Sequence, residues 1–100
     1  MKATKVEYTV KPEYVTTNKA NIQKVMDELK ETGNKNIRYT VFTKEDGYSF
    51  VHFATYKSPE DNIIPSLKAF QEFSRQLKEE GIVAPPQSVK LDLVSGSFEL

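Results

Sequence analysis

Two runs of alternating residues, "NIRYTVFT" and "YSFVHFATY", stand on either side of "KEDG", and that arrangement leaves few architectures open. Both runs are rich in β-branched and aromatic residues with a period of two, the pattern of strands that bury one face. Asp46-Gly47 supplies the positive φ of a tight reversal, so the two runs form a hairpin. With a two- or four-residue loop, Phe42 shares a face with Val51 and Phe53, while Tyr39 and Val41 share the other with Phe50, His52 and Ala54. A three-residue loop with a bulge reverses that parity.

The flanking chain completes a recognisable order. Val6, Tyr8 and Val10 alternate with Glu7, Thr9 and Lys11 as a first strand. Thr17 or Asn18 is placed to cap a helix whose stripe is Ile22, Val25, Met26 and Leu29, and Gly33 suits its C-terminal reversal. Ser58-Pro59-Glu60-Asp61 reads as a second helix start, with proline in the first turn and acids at the positive end of the dipole. Pro65 moves the start of regular helix to near Asn62 or Pro65. Ile63, Leu67, Phe70, Phe73 and Leu77 form the buried stripe, and Gly81 closes it. Val89, Leu91 and Leu93 alternate with Lys90 and Asp92 as a fourth strand, and "SFEL" suggests a short terminal one. The order β-α-β-β-α-β defines an α+β class, a ferredoxin-like antiparallel sheet with two helices on one face, and residues 1–100 read as a single domain. Matching the outer strands' apolar faces to the helices sets Phe42, Val51 and Phe53 beneath them. That match leaves Tyr39, Val41, Tyr48, Phe50, His52 and Tyr56 on the open side.

An aromatic open face invites comparison with RNA-binding sheets. "DGYSFVHF" places Tyr48 and Phe50 where the stacking rings of an RNA-recognition motif stand. Asp46, however, occupies the basic position, and Glu7, Thr9 and Lys11 offer no ring from the first strand. Lys plus Arg number 14 and Asp plus Glu number 14, so the basic excess usual for phosphate binding is missing. No nucleic acid is therefore expected as a partner, and a single-stranded RNA-binding module stands as a second alternative. The chain has no cysteine, hence no disulfide, thiolate metal site or cysteine nucleophile, which fits a cytoplasmic protein. "MKATKVEY" lacks the apolar run of a signal peptide, and no membrane association is expected.

Taken together, "VEYTVKPEY" running into a helix, "RYTVFTKEDGYSFVHFATY" and "AFQEF" resemble the dimeric α/β-barrel superfamily. That group contains the antibiotic-biosynthesis-monooxygenase-like proteins, and the chain looks closest to a branch of unestablished activity. The resemblance implies a homodimer whose two sheets pack face to face, with the C-terminal segment reaching the partner. Monooxygenases of this kind use neither metal nor flavin, and their quinol-like substrates supply the electrons. The haem-degrading branch depends on a tryptophan that this chain lacks.

His52 is the candidate catalytic residue, being the only histidine and the side chain whose ordinary pKa lies nearest neutrality. Tyr39, Phe50 and Tyr56 are the candidate ligand-binding residues around it, and Tyr8, on the helix-facing side, is a further one. Tyr8, Phe42, Phe53, Phe70 and Phe73 are candidates to line a pocket between sheet and helices, the plainer alternative being that they are core. For His52 the plainer alternative is a hydrogen-bonded interface histidine. No metal is expected, because nothing at ligand spacing joins His52. The resemblance implies no cofactor either, and the chain holds no glycine-rich phosphate loop, nucleophile elbow or zincin motif. The expectation is a homodimer, paired through the open sheet face, that binds a small aromatic or apolar molecule. The first alternative is a cofactor-independent monooxygenase or isomerase acting on a quinol-like substrate.

Overall fold

The hairpin forms as the Asp-Gly signal demands. In the structure, a computed structural model describing residues 1–98, β2 (Ile37–Thr43) and β3 (Ser49–Tyr56) pair antiparallel with Phe42 opposite Val51. The Lys44 amide donates to the Ser49 carbonyl at 2.8 Å, leaving residues 45–48 as the loop. Gly47 takes φ +79°, and Asp46 Oδ1 accepts the amides of Tyr48 and Ser49, each at 2.8 Å. Asp46 therefore satisfies the turn's own donors, and that is why the acid stands there.

β1 (Lys2–Thr9) lies between β3 and β4 (Gln87–Asp92), giving a four-stranded sheet in the order β2-β3-β1-β4 with every pair antiparallel. This is the expected ferredoxin-like α+β topology. The expected terminal strand over 97–100 lies partly outside the described residues, and Ser97 and Phe98 belong to no strand. Among the described residues no helix is long and apolar enough to cross a membrane.

α1 (Val15–Glu31) follows a 3₁₀ turn at Pro12–Tyr14 and so starts ahead of Thr17 and Asn18. Neither of those residues caps it; Asn18 is fully buried instead. Val25 lies in the main core, with Ile22 and Leu29 packed against it. Gly33 ends this region at φ +67°, where a side chain would be strained.

α2 (Lys68–Gln76) starts later than expected. Ser58 and Asp61 close a capping box around a 3₁₀ turn at Pro59–Asp61, and Pro65 sits in a second such turn at Ile64–Ser66. Proline lacks an N–H and disfavours helix at the residue before it, so continuous helix waits until both prolines are passed. The exposed amides at the start of α2 find their acceptor on α1. Glu28 accepts from Lys68 N at 3.2 Å and from Ala69 N at 2.7 Å. Beyond α2 a wide turn, Leu77–Gly81, ends with Ile82 N donating to Leu77 O at 2.9 Å. A Cβ on Gly81 would lie 2.2 Å from the Tyr14 ring, so this residue is held to glycine by close approach.

The faces of the sheet are reversed from expectation, although the hairpin parity is as expected. Val6 stands opposite His52 and Tyr8 opposite Phe50, so the face of β1 that meets the helices carries Phe50, His52, Ala54 and Tyr56 with it. Phe50, His52 and Tyr56 are buried beneath the helices, with Tyr39 and Val41 packed against the core. Phe42, Val51 and Phe53 lie on the open face. The source of the reversal is β4: Val89 pairs with Lys5 and Leu91 with Ala3, both on the open side. Every residue of β4 is exposed, so its apolar face covers no helix.

Replacing Glu28 with Ala removes the shared acceptor at the start of α2. The expected loss is about 1–2 kcal/mol of unfolding free energy by urea titration. An unchanged midpoint would show that water caps the helix equally well.

Candidate functional site

Between the sheet and the α2 region lies a cavity of about 200 Å³. Its sheet wall is built from Thr4, Val6 and Tyr8 of β1, Tyr39 of β2, and His52 and Ala54 of β3. Facing them are Asn62, Ile64, Phe70, Phe73, Ser74 and Leu77, while the exposed Pro65 and Pro86 mark the rim. The prolines that delay α2 thus also form one side of the mouth. Among the described residues no Lys, Arg, Asp or Glu lines this space.

His52 stands in the wall with both ring nitrogens engaged. Nε2 lies 2.7 Å from the Tyr8 hydroxyl and Nδ1 lies 2.5 Å from the Tyr39 hydroxyl. The Tyr8 oxygen also accepts from Asn18 Nδ2 at 3.0 Å. The Phe73 ring packs on the imidazole at 5.6 Å between centroids. His52 is 5% exposed, and burial pulls its pKa down from 6.5 to about 4. The same burial raises both tyrosines well above their ordinary value, opposed at Tyr8 by the Asn18 hydrogen bond. At neutral pH the whole chain is uncharged. It can donate or accept hydrogen bonds in a water-poor space, and it offers no strong base.

Of the residues singled out from the sequence, Tyr8, Tyr39 and His52 meet at the cavity. Phe50 is 1% exposed and stacks on Tyr8 at 5.7 Å between centroids, supporting that ring from behind. Tyr56 bonds the Thr4 hydroxyl at 3.0 Å and packs with Ile37, Ala54 and Ile64. Phe70 and Phe73 line the cavity as expected of pocket residues. Phe42 and Phe53 do not; they meet edge to face on the opposite side of the sheet, at 6.2 Å. Buried under the helices, Phe50 cannot stack a base, and only Tyr48 of the proposed RNA pair is exposed. Asn18 was the residue missed, having been assigned to a cap. Its spacing from Ile22 and Val25, four and seven residues ahead of them, places it on the buried stripe of α1 and could have revealed it.

No family model and no curated protein matches the chain. Solved structures match it over nearly its full length. Rv0793 from Mycobacterium tuberculosis aligns with TM-score 0.78 at 15% identity, covering 97% of this chain and 98% of its own. An antibiotic biosynthesis monooxygenase aligns with TM-score 0.77 at 15% identity, over 95% of this chain and all of its own. NE2512, a protein of unknown function from Nitrosomonas europaea, gives TM-score 0.75 at 12% identity, over 99% and 94%. The chain therefore has the ferredoxin-like α+β fold of the antibiotic-biosynthesis-monooxygenase-like proteins. Among those neighbours, some carry that enzymatic description and others none.

His52 makes the stability of the fold pH-dependent in a defined window. Its folded pKa lies below its unfolded one, so the unfolded chain binds the proton first as pH falls from 6.5. Stability from this residue should fall by about 3 kcal/mol between pH 6.5 and pH 4 and level off below. Comparing urea unfolding of wild type and His52→Gln across that range isolates the effect. Parallel pH profiles would rule it out.

Proposed function

We propose that the protein binds a small, uncharged, single-ring molecule in the cavity between the sheet and α2. The observation that carries this reading is a mostly apolar cavity of about 200 Å³ whose wall holds the buried polar chain Tyr39-His52-Tyr8, with Thr4, Asn62 and Ser74 as its other polar residues. An apolar site with a few placed polar groups is the usual make-up of a small-molecule pocket. A cavity of about 150 Å³ can hold benzene, so this one suits a single ring and is too small for a fused polycyclic skeleton. The absence of charge in the lining favours a neutral ligand, since a buried ion would have no partner.

A second reading, a cofactor-independent monooxygenase or isomerase, is supported by the position of the imidazole in the cavity wall and by the description of some fold neighbours. In it the protein excludes water and holds a quinol-like substrate against Tyr39 and His52. Oxygen uptake with a one-ring hydroquinone, lost in His52→Gln, is the result it requires.

Titration with one-ring phenols, ketones and pyrrole should move backbone NMR signals at Thr4, Ala54 and Ser74. Ala54→Leu should fill the space and abolish those changes while the fold is retained. Saturable binding elsewhere, or none with any such ring, would overturn the ligand reading.

We propose also that the protein is a homodimer through the open sheet face, in a cytoplasmic setting consistent with the lack of cysteine. Phe42, Val89 and Leu91 are 55%, 51% and 40% exposed on one face. Phe42 stands beside Val51 and Phe53 at one edge and Val89 and Leu91 at the other, with Lys5 and Glu7 of β1 between; a lone soluble chain seldom leaves so much apolar surface uncovered. Half-burying a few such side chains recovers roughly 3–6 kcal/mol, against an association cost of about 4–15 kcal/mol. Tail contacts are then expected to contribute, and Phe98 already lies on this side, 5.2 Å beneath the Arg38 guanidinium. Phe53→Asp should yield a folded monomer by sedimentation, whereas Phe50→Asp, in the core, should unfold the chain. A monomeric wild type would sink the interface.

A further inference from the structure

We propose that Asn18, Tyr8, His52 and Tyr39 form a hydrogen-bond chain with a single direction, which makes the Tyr39 hydroxyl a donor into the cavity and selects a ligand bearing an acceptor oxygen. The proposal rests on the ligand-binding reading above and specifies the chemistry of that ligand as a carbonyl, such as a ketone, aldehyde or quinone.

The direction follows from what each atom can do. The Nδ2 of Asn18 only donates, so the Tyr8 oxygen at 3.0 Å is its acceptor. The Tyr8 hydrogen then turns to its other neighbour, His52 Nε2 at 2.7 Å. A neutral imidazole has one acceptor and one donor nitrogen, so Nδ1 carries the proton and donates to the Tyr39 oxygen at 2.5 Å. The imidazole is neutral because burial lowers its pKa to about 4. The hydrogen of Tyr39 is thereby left pointing away from His52, and Tyr39 lines the cavity.

The opposite orientation of the Asn18 amide would reverse each donor in the chain. It would leave both N–H groups of a fully buried side chain without partners, whereas the present one pairs one of them with Tyr8 and leaves the other and the Oδ1 atom unpaired. Buried orphan donors are rarer than under-satisfied carbonyls, which favours the direction given. Asn18, Tyr8 and His52 are positioning residues on this account, and Tyr39 is the residue that touches the ligand. The Tyr39 donor discriminates against a ring that turns its own donor toward it, because the two hydrogens would face each other; a ring's donor is left the unpaired Asn62 Oδ1 elsewhere in the lining.

His52 is the only histidine, so one pair of ¹⁵N signals reports the tautomer of the unmodified protein. At neutral pH the expected spectrum has Nδ1 protonated and Nε2 not; the Nε2–H tautomer would overturn the proposal. Asn18→Ala should bring up the Nε2–H form, and if that variant fails to fold, the wild-type spectrum still decides the direction. For the ligand, acetophenone offers an acceptor only and pyrrole a donor only. Tyr39→Phe should weaken acetophenone by roughly three- to tenfold and leave pyrrole unweakened. Loss of pyrrole affinity with acetophenone unaffected would refute the donor role. Failure of both rings to bind wild type would instead remove the ligand reading, and the donor role of Tyr39 with it, while the tautomer still tests the chain.

Discussion

The register between β1 and β3 is the constraint on which the rest depends. Val6 opposite His52 and Tyr8 opposite Phe50 put one face of each strand under the helices together. A slip of one residue would turn Phe50, His52, Ala54 and Tyr56 to the open side and bring Val51 and Phe53 in. It would also part the Tyr8 hydroxyl from the imidazole that it meets at 2.7 Å. Core and candidate site are thus specified by the same pairing.

Burying an imidazole is unfavourable for its charged form, and the fold answers by keeping it neutral and satisfying both nitrogens. Two tyrosine hydroxyls and one asparagine amide share that task across β1, β2 and α1. Three separate elements must be in place before His52 has its partners, so the site orders with the tertiary structure. The helices add the remaining wall: Glu28 fixes the start of α2, and α2 delivers Phe73 over the imidazole with Phe70 packed against it.

The sheet has two apolar faces with different fates. One is closed by helices and encloses the cavity; the other carries Phe42, Val51, Phe53, Val89 and Leu91 and meets no helix. Structural neighbours at 12–15% identity share this backbone, which establishes the fold and leaves activity to be argued from side chains. The chemistry offered by those side chains is neutral hydrogen bonding in an apolar space.

The order of elements was legible because its causes are local: period-two and helical spacing, Asp46-Gly47 at the turn, Gly33 after the first helix. The hairpin parity followed from the sequence only given an even loop, and the four-residue loop over 45–48 is what the structure supplied. Which face meets the helices was not legible, because both faces of β3 are apolar and the choice lies with strands distant in sequence. The alternating Val89, Leu91 and Leu93 pointed to the helices, yet β4 is an uncovered edge whose apolar side belongs to the open face. Tyr8, Tyr39 and His52 could be named from the sequence as residue types suited to a site, but their meeting could not. Asn18 passed as a helix cap until the turn at Pro12–Tyr14 moved the start of α1 ahead of it. Local spacing determined the elements; only long-range pairing and the burial that it imposes decided which aromatic face became a core with a cavity and which was left open.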